Sequence, residues 1–435
     1  MDPVMVGIVG TCFLLLLLLL GLPIAFSLML VGFLGMTYLV SMEAALPVVA
    51  RTVYESSSYY PYTIIPLFIV MGSYAEMAGI SAELYATFER WLRRLPGGLG
   101  MATIASIAGF SAISGSSVAA SAAFGKVAYP EMRRFNYSPR LAAGTVAAGA
   151  TIDFLIPPSL GFVIFGMLTE QSIGKLLISG VIPGILLAGS FMVILFCWVK
   201  FDPNATLSRP EEVPWKEKIS GLKGIWEAGI IFLLVVGGIY SGFFTPNEAA
   251  GVGATLLFLM AIWKRKLTLG ILLDSLVEAL RVSVMVLFLV AGANVFSYFL
   301  ALTTIPMKVS SWIIGLAVSR YVVLAIIVLI YLLLGCFLDA ISMMILTLPV
   351  IFPVVVQLGF NPIWFGVVCI LMMGAGLISP PLGLCVNTVA SIARDAPLEE
   401  VFKGALPFLI AILFVTFLIT LYPQLALFLP SMMER

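Results

Sequence analysis

The chain has 435 residues, of which 61% are hydrophobic and only 10% are charged, and its mean hydropathy is +1.14. Soluble domains carry about 25% charged residues, so this composition excludes a soluble globular protein and predicts an all-α polytopic membrane protein. A net charge of +1 argues against nucleic acid as a partner. The chain has no histidine, and it therefore lacks the commonest general base, which argues against a hydrolase.

Apolar and mixed segments alternate along the first half of the chain. Each membrane span needs roughly 20 apolar residues, which leaves room for about ten spans in all. The first span lacks a basic leader, so we expect it to be a retained helix. The predicted spans of this half are 4–22, 24–40, 61–78 and 175–199. Mixed segments typical of interfacial helices lie at 43–57 and 81–95.

The second half repeats the first at an offset of 223 residues. Five prolines recur at this offset, and "FLIPPSLGF" pairs with "GLISPPLGL". Such repeats are typical of secondary transporters. The matching segments are 227–245, 247–263, 266–280, 284–301, 304–318 and 404–429. The charged segment between the halves predicts a cytoplasmic linker at 200–224.

The stretch "FSAISGSSVAASAAFGKV" within residues 98–128 is rich in small residues and almost free of charge. Basic residues flank both of its ends, which places both ends in the cytoplasm by the positive-inside rule. About 31 residues cannot cross the membrane twice. The sequence therefore predicts a re-entrant helical hairpin with its turn at "AISGSS". The flanking basic residues are Arg90, Arg93, Arg94, Lys126, Arg133, Arg134 and Arg140.

The second hairpin, at 321–351, has few basic neighbours, which predicts entry from the periplasmic side. Each half would contain an odd number of crossings, so the two repeats would be inverted and the hairpin tips would meet near the midplane. Pro-Pro pairs interrupt the helices at 140–170 and 363–393. This plan gives scaffold halves at 1–96 and 225–318, and transport halves at 97–199 and 319–435.

The meeting tips suit an anion, because a helix N-terminus presents free N–H groups and a positive dipole end. The Pro-Pro breaks leave carbonyl groups without donors, and these are hard oxygen ligands suited to Na⁺. A tract of small residues alone is more simply a packing face, and a Pro-Pro pair alone is more simply a kink. The presence of a hairpin tract and a Pro-Pro break in both halves favours a transport site.

Seven motifs spread along the chain belong together: "SGSSVAASAAFG", "YPEMRRFNYSPRLAAG", "LIPPS", "SIGKLLISGVIPG", "FTPNEAA", "FLDAISMMILTLPVIFPVV" and "SPPLGL". With these motifs the chain resembles the large membrane subunit of tripartite ATP-independent periplasmic (TRAP) transporters over essentially its whole length. The resemblance implies an elevator-type secondary transporter of the bacterial inner membrane. It implies symport of Na⁺ with small organic acids, a small membrane subunit of about four helices, a periplasmic binding protein, and no cofactor beyond Na⁺.

The resemblance also implies site residues. One Na⁺ site would involve Ser114, Gly115, Ser116, Thr151, Asp153 and Pro157. The other would involve Asp339, Ser379 and Pro380. Substrate would meet Ser116, Ser117, Asp339 and Asn387. Two positions depart from the family: Asp153 stands where Gly is usual, and Gly374 stands where Glu is frequent. On this resemblance the first ion site would have gained a carboxylate and the second would have lost one, so the ion stoichiometry and the ligand set stay open.

Several alternatives remain at this stage. Asp153 would coordinate a cation, carry a proton or pack, and Asp339 would ligate or cap a helix. A stand-alone two-hairpin dicarboxylate carrier is the main rival function, and a channel is a weaker one. An intramembrane aspartyl protease would need Asp153 and Asp339 as a dyad, but the text "GCFLD" is not the expected GxGD, so we predict no enzyme.

Overall fold

Helices form nearly all the regular structure of the chain. The computed structural model describes residues 2–202, 205–206, 213–315 and 318–433. Within these ranges, the β-type backbone pairing is one isolated antiparallel bridge between Tyr137 and Thr206. The helices of the first half are α1 Pro3–Leu19, α2 Ile24–Leu39, α3 Met42–Ser58, α4 Ile64–Met77, α5 Ile80–Leu92, α6 Gly98–Ser114, α7 Ser117–Arg134, α8 Pro139–Gly149, α9 Leu160–Thr169, α10 Ile173–Ser179 and α11 Val181–Phe201, with 3₁₀ turns at Tyr60–Thr63 and Ala150–Phe154.

The second half follows the same order of elements. Its helices are α12 Trp215–Gly221, α13 Trp226–Tyr240, α14 Pro246–Trp263, α15 Leu269–Thr303, α16 Ile305–Gly315, α17 Arg320–Gly335, α18 Ala340–Gln357, α19 Pro362–Gly376, α20 Leu384–Ile392, α21 Leu398–Leu421 and α22 Gln424–Met432, with a 3₁₀ turn at Leu222–Gly224. The pairs α6–α7 and α17–α18 are the two expected hairpins. The two expected breaks lie between α8 and α9 and between α19 and α20.

Both hairpins are longer than the sequence predicts. The first was expected to end at 128 and the second at 351, but α7 continues to Arg134 and α18 to Gln357. Pro130 and Pro353 lie inside these helices. An interior proline removes one backbone hydrogen bond, and neither proline ends its helix here.

One expected pair of elements is a single helix. The segments 266–280 and 284–301 were predicted as separate, but α15 is a continuous helix of 35 residues. The corresponding part of the first half is divided between α3 and α4 by a 3₁₀ turn that contains Pro61. Val284 occupies the position of Pro61 at the 223-residue offset. The second half therefore has no proline to interrupt the helix at this point.

The segment 200–224 is more than a solvent linker. It contains α12, which packs against α5: the Thr87 hydroxyl donates to the Gly221 carbonyl at 2.8 Å, and the Trp91 indole donates to the Lys218 carbonyl at 3.2 Å. Residues 203–204 and 207–212 of the predicted linker lie outside the described residues. The described part of this segment is thus held against the first half of the chain.

Four helical segments in the described ranges are long and apolar enough to cross a membrane: Ile173–Phe201, Leu269–Thr303, Ala340–Gln357 and Leu398–Leu421. Two bent pairs raise this number to six, one joining Tyr60–Met77 to Ile80–Leu92 at 62° and one joining Trp215–Gly221 to Trp226–Tyr240 at 45°. Other apolar helices are shorter. The chain is therefore a multi-pass membrane protein, and the ten crossings remain a prediction.

Glycines allow the helices α8 and α21 to approach each other closely. A Cβ on Gly144 of α8 would lie 2.3 Å from the Gly404 carbonyl carbon of α21, and a Cβ on Gly404 would lie 2.1 Å from the Arg140 carbonyl oxygen. No side chain fits at either position without backbone movement. This contact fixes α8, and therefore the break that follows it, against the second half of the chain.

Candidate functional site

The tip of the first hairpin is a tight turn of two residues, Gly115 and Ser116, between α6 and α7. Gly115 adopts a left-handed φ of +65°, which favours glycine because it has no Cβ. Ser116 caps α7, with its hydroxyl accepting from the Ala119 N–H at 3.4 Å. The predicted turn at "AISGSS" is confirmed.

Asp153 links this tip to the break after α8. Its carboxylate Oδ1 accepts a 2.7 Å hydrogen bond from the Ser114 hydroxyl, and the residue is only 1% exposed. The Ser111 hydroxyl lies beside the same carboxylate without hydrogen-bond geometry, and it has no partner among the described residues. A buried carboxylate with a single close donor is costly unless a cation or proton accompanies it.

Backbone carbonyls surround the tip. A Cβ on Gly115 would lie 3.0 Å from the Pro158 carbonyl oxygen, which places the break against the turn. On the other side, a Cβ on Gly72 of α4 would lie 2.4 Å from the Ser114 carbonyl oxygen. The tip is therefore held between the predicted scaffold helix α4 and its own broken helix. Carbonyl, hydroxyl and carboxylate oxygens thus converge on a few residues.

The second half builds the equivalent contact from backbone alone. A Cβ on Gly335, at the end of α17, would lie 2.8 Å from the Cα of Gly376, at the end of α19. Gly376 is the position that matches Asp153 at the 223-residue offset. Asp339 caps α18, with Oδ1 accepting from the Ser342 N–H at 3.0 Å, and the Ser379 hydroxyl donates to the Ala375 carbonyl at 2.8 Å.

The two breaks lie against each other. A Cβ on Gly374 of α19 would lie 3.5 Å from the Thr151 Cβ, in the 3₁₀ turn that contains Asp153. The Thr151 hydroxyl donates to the Ala148 carbonyl at 2.7 Å. Pro157–Pro158 and Pro380–Pro381 are both cis peptides. The structure therefore brings the first hairpin tip and both breaks into one region.

Helices α7 and α20 run side by side in the same direction. The Cys385 thiol lies 3.9 Å from the Ser117 carbonyl, a Cβ on Gly125 would lie 3.0 Å from Ile392, and Arg133 pairs with Asp395 at 2.8 Å. Both N-termini therefore start beside the first tip. The Ser117 hydroxyl is buried there without a partner among the described residues. Two positive helix ends together favour an anion more than one does.

Asn387 lies one turn into α20 with an exposed side chain, and its amide donates to the Leu382 carbonyl.

No three His, Cys, Asp or Glu side chains gather as a metal site within the described ranges. The donors near the first tip are one carboxylate with hydroxyl and carbonyl oxygens, a set that suits a hard cation such as Na⁺.

Sequence reasoning missed Gly72 and Pro158 as contacts of the tip, and Cys385 as a contact of Ser117. Gly72 stands in "VMGSYAEM", where nothing in the pattern indicates which helix it approaches. Glu248 follows the expectation that it caps a helix: Thr245 and Glu248 form a capping box at the start of α14. Asp153 and Asp339 make separate contacts, with Ser114 and with Ser342, and form no hydrogen bond to each other.

Comparisons with known proteins agree with this architecture. Residues 11–425 match the family model of the tripartite ATP-independent periplasmic transporter, DctM component. The chain is 32% identical to the C4-dicarboxylate TRAP transporter large permease protein of Pseudomonas aeruginosa, covering 88% of this chain and 89% of that protein. It is 30% identical to the sialic acid TRAP transporter large permease protein of Vibrio cholerae, covering 95% of each.

A solved structure shares the fold. The YdaH transporter of Alcanivorax borkumensis superposes with a TM-score of 0.62 at 16% sequence identity, covering 88% of this chain and 89% of that one. The named relatives are transporter permeases, which agrees with the prediction that the chain is not an enzyme. The chain belongs to the family of the DctM component, the large membrane permease of tripartite ATP-independent periplasmic transporters.

Proposed function

We propose that this chain is the translocation subunit of a secondary importer of small organic acids in the bacterial inner membrane, driven by a Na⁺ gradient. A periplasmic binding protein would deliver the acid, and a small membrane subunit would complete the transporter. The names of its relatives support C4-dicarboxylates and sialic acid as substrate classes.

The contact between Asp153 and Ser114 is the observation that supports the proposal most strongly. It places a buried carboxylate against the turn of the first hairpin, where the N-termini of α7 and α20 also start. A cation bound at Asp153 would hold the tip on the broken helix. An anion bound at the helix N-termini would share that tip, so the two ligands would be coupled through one element.

The repeat supports alternating access. The two halves share an order of elements, with two hairpins and two breaks at a constant offset. We propose that the repeats are inverted, that the hairpins enter from opposite faces, and that 97–199 and 319–435 move as the transport elements of an elevator. The remaining predicted ligands are those of the second half, Asp339, Ser379 and Pro380, with Asn387 at the substrate.

The test is uptake into proteoliposomes that contain this chain, the small subunit and the periplasmic binding protein. An inward Na⁺ gradient should drive accumulation of labelled succinate or N-acetylneuraminate, and omission of either partner should abolish it. Uptake of free acid by this chain alone would support the stand-alone carrier instead. Full uptake with K⁺ in place of Na⁺ at equal pH would overturn Na⁺ coupling.

A further inference from the structure

The outer faces of α7 and α20 form one surface that leads away from the hairpin tip. The two helices pack in parallel along their length, from Ser117 beside Cys385 to Gly125 beside Ile392. At 100° per residue, the exposed rows of the two helices fall on the same side of the pair. We define the outer face by these exposed residues: Val118, Lys126 and Pro130 of α7, and Leu384, Asn387 and Ser391 of α20.

Half of the residues of this outer face are polar, which does not suit contact with lipid. Lys126, Asn387 and Ser391 lie between the tip and the far ends of the helices, where Arg133 and Arg394 mark the predicted cytoplasmic side. Polar and ionisable side chains at membrane depth face a water-filled cavity or the protein interior, because their exposure to hydrocarbon is costly. The outer face therefore lines an aqueous path from the tip toward the cytoplasm.

Lys126 is the cation on this path. Its side chain is exposed, and it forms neither an ion pair nor a hydrogen bond with any residue in the described parts of the chain. Glu76 of α4 lies one helical turn from Gly72, the residue that contacts the hairpin tip. The charge of Lys126 attracts the Glu76 carboxylate, and Glu278 of α15 repels it, yet neither carboxylate pairs directly with Lys126.

We propose that Lys126 receives the acidic group of the substrate as it passes from the hairpin tip to the cytoplasm, and thereby selects for anions during release. The inference rests on the proposed import of organic acids. An ammonium offers three hydrogen-bond donors and a full positive charge, which suits a carboxylate or sulfonate. Asn387 and Ser391 lie on the same face and would contact the hydroxyl or carbonyl groups of the same molecule.

The first test measures the electrostatics of the path without transport. Ser391→Cys, in a background without the five native cysteines, is labelled in inside-out vesicles with an anionic sulfonatoethyl or a cationic trimethylammonioethyl methanethiosulfonate. Ile392 contacts Gly125, so this reporter lies at the level of Lys126. Lys126→Gln should lower the ratio of anionic to cationic labelling rates about sixfold, the scale of one charge roughly 8 Å away in water acting with opposite signs on the two reagents.

Matched variants make this result specific. Lys126→Arg keeps the charge and should keep the ratio. Arg134→Gln removes the same charge two turns further along α7, where the arginine already pairs with Glu131 at 3.4 Å, and should change the ratio much less. An unchanged ratio in Lys126→Gln, or an equal change in Arg134→Gln, would overturn the proposal.

The second test measures transport by the complete transporter with succinate and N-acetylneuraminate. Lys126→Gln should lower the maximal rate several-fold, leave the Na⁺ dependence unchanged, and be rescued by Lys126→Arg. If Lys126 only balances Glu76, the double variant Lys126→Gln, Glu76→Gln should regain the lost rate, and that recovery would contradict the proposal. If the wild-type transporter moves neither acid, the proposed substrate classes fail, while the labelling ratio still decides the role of Lys126.

Discussion

The environment of Asp153 differs from that of its counterpart in the other half. Its position in the second half is Gly376, which contacts Gly335 through backbone alone. The first half places a carboxylate at this point and supplies Ser114 as a donor. The first half therefore carries an extra carboxylate where the second half has glycine, the residue that the family resemblance implies is usual at Asp153, and we expect this carboxylate to belong to an ion site.

Removal of this charge should weaken Na⁺ binding. Asp153→Asn keeps the shape and one oxygen, so the apparent Na⁺ affinity of uptake should fall by roughly tenfold, which corresponds to about 1.4 kcal/mol. Substrate affinity should weaken with it, because linkage between two ligands is reciprocal. Uptake is measured across Na⁺ concentration and pH.

The same measurement separates the other roles of Asp153. A variant that loses pH dependence but keeps its Na⁺ dependence would show that Asp153 carries a proton. A variant whose uptake keeps both its Na⁺ dependence and its pH dependence would show that Asp153 only packs. Asp153→Gly restores the residue usual in the family and is expected to stay active, and loss of its activity at normal expression would show that this site is built differently.

Gly72 should tolerate no side chain. In Gly72→Ala the new Cβ would lie 2.4 Å from the Ser114 carbonyl oxygen, so the tip or α4 must move. Overpacking of this kind costs about 1–3 kcal/mol. We expect a lower thermal stability in detergent and slower uptake.

Gly189→Ala is the matched control for Gly72→Ala. It lies in α11 with nothing within 4 Å of the added Cβ, so it should be neutral or slightly stabilising. Equal behaviour of the two variants would mean that the tip does not pack against α4 as described.

Elements that are marked by prolines or by a tract of small residues could be predicted from the sequence. Elements whose bounds depend on packing could not. Repeated prolines and the small-residue tract locate both hairpins and both breaks to within a few residues. The helices α7 and α18 continue past the expected ends at 128 and 351 and include Pro130 and Pro353. The fusion of two segments into α15 depends on the absence of a counterpart to Pro61, a local difference that the repeat conceals.

The site was predicted to a similar degree. Ser114, Gly115 and Asp153 come together as expected, because turn and break chemistry is visible in the sequence. Gly72, Pro158 and Cys385 were missed because contacts between distant helices leave no periodic signal. The ligand roles of all the predicted site residues stay predictions. The side chains of Asp339 and Ser379 form hydrogen bonds with nearby backbone groups in this structure.

Asp395 lies in the segment after α20 and contacts the end of α7 in the first hairpin. It accepts hydrogen bonds from the Tyr129 hydroxyl and from Arg133, the latter at 2.8 Å. These two donors, the tyrosine first, hold the pKa of Asp395 below its ordinary value. A carboxyl with a lowered folded-state pKa stabilises the fold above its unfolded pKa, about 3.9, and loses that contribution as pH falls through the folded value.

Asp395→Asn should therefore lower thermal stability by the same small amount at pH 5 and at pH 8. The Asp395 side chain is 51% exposed, so the loss should not exceed about 1 kcal/mol. Melting curves in detergent at the two pH values measure it. A loss that grows between pH 5 and pH 8 would show that another group titrates at this contact.

For the whole molecule, the decisive prediction is opposite orientation of the two hairpins. Arg134 and Gln357 are matching positions at the exposed ends of α7 and α18. Single cysteines at these positions, in a background without native cysteines, should react with an impermeant maleimide from opposite sides: Arg134→Cys from the cytoplasm and Gln357→Cys from the periplasm. Labelling of both cysteines from one side would contradict the inverted repeat and the predicted site near the midplane.

Helix α15 also makes the two halves mechanically unequal. Its 35 residues form a helix of about 52 Å, longer than the roughly 30 Å hydrocarbon core of a bilayer. The first half has in its place two shorter helices around Pro61, followed by a 62° bend before α5. The long continuous helix of the second half is therefore expected to bend less than the matching part of the first half. If the scaffold flexes during transport, we expect it to do so near Pro61 and Gly79 and not within α15.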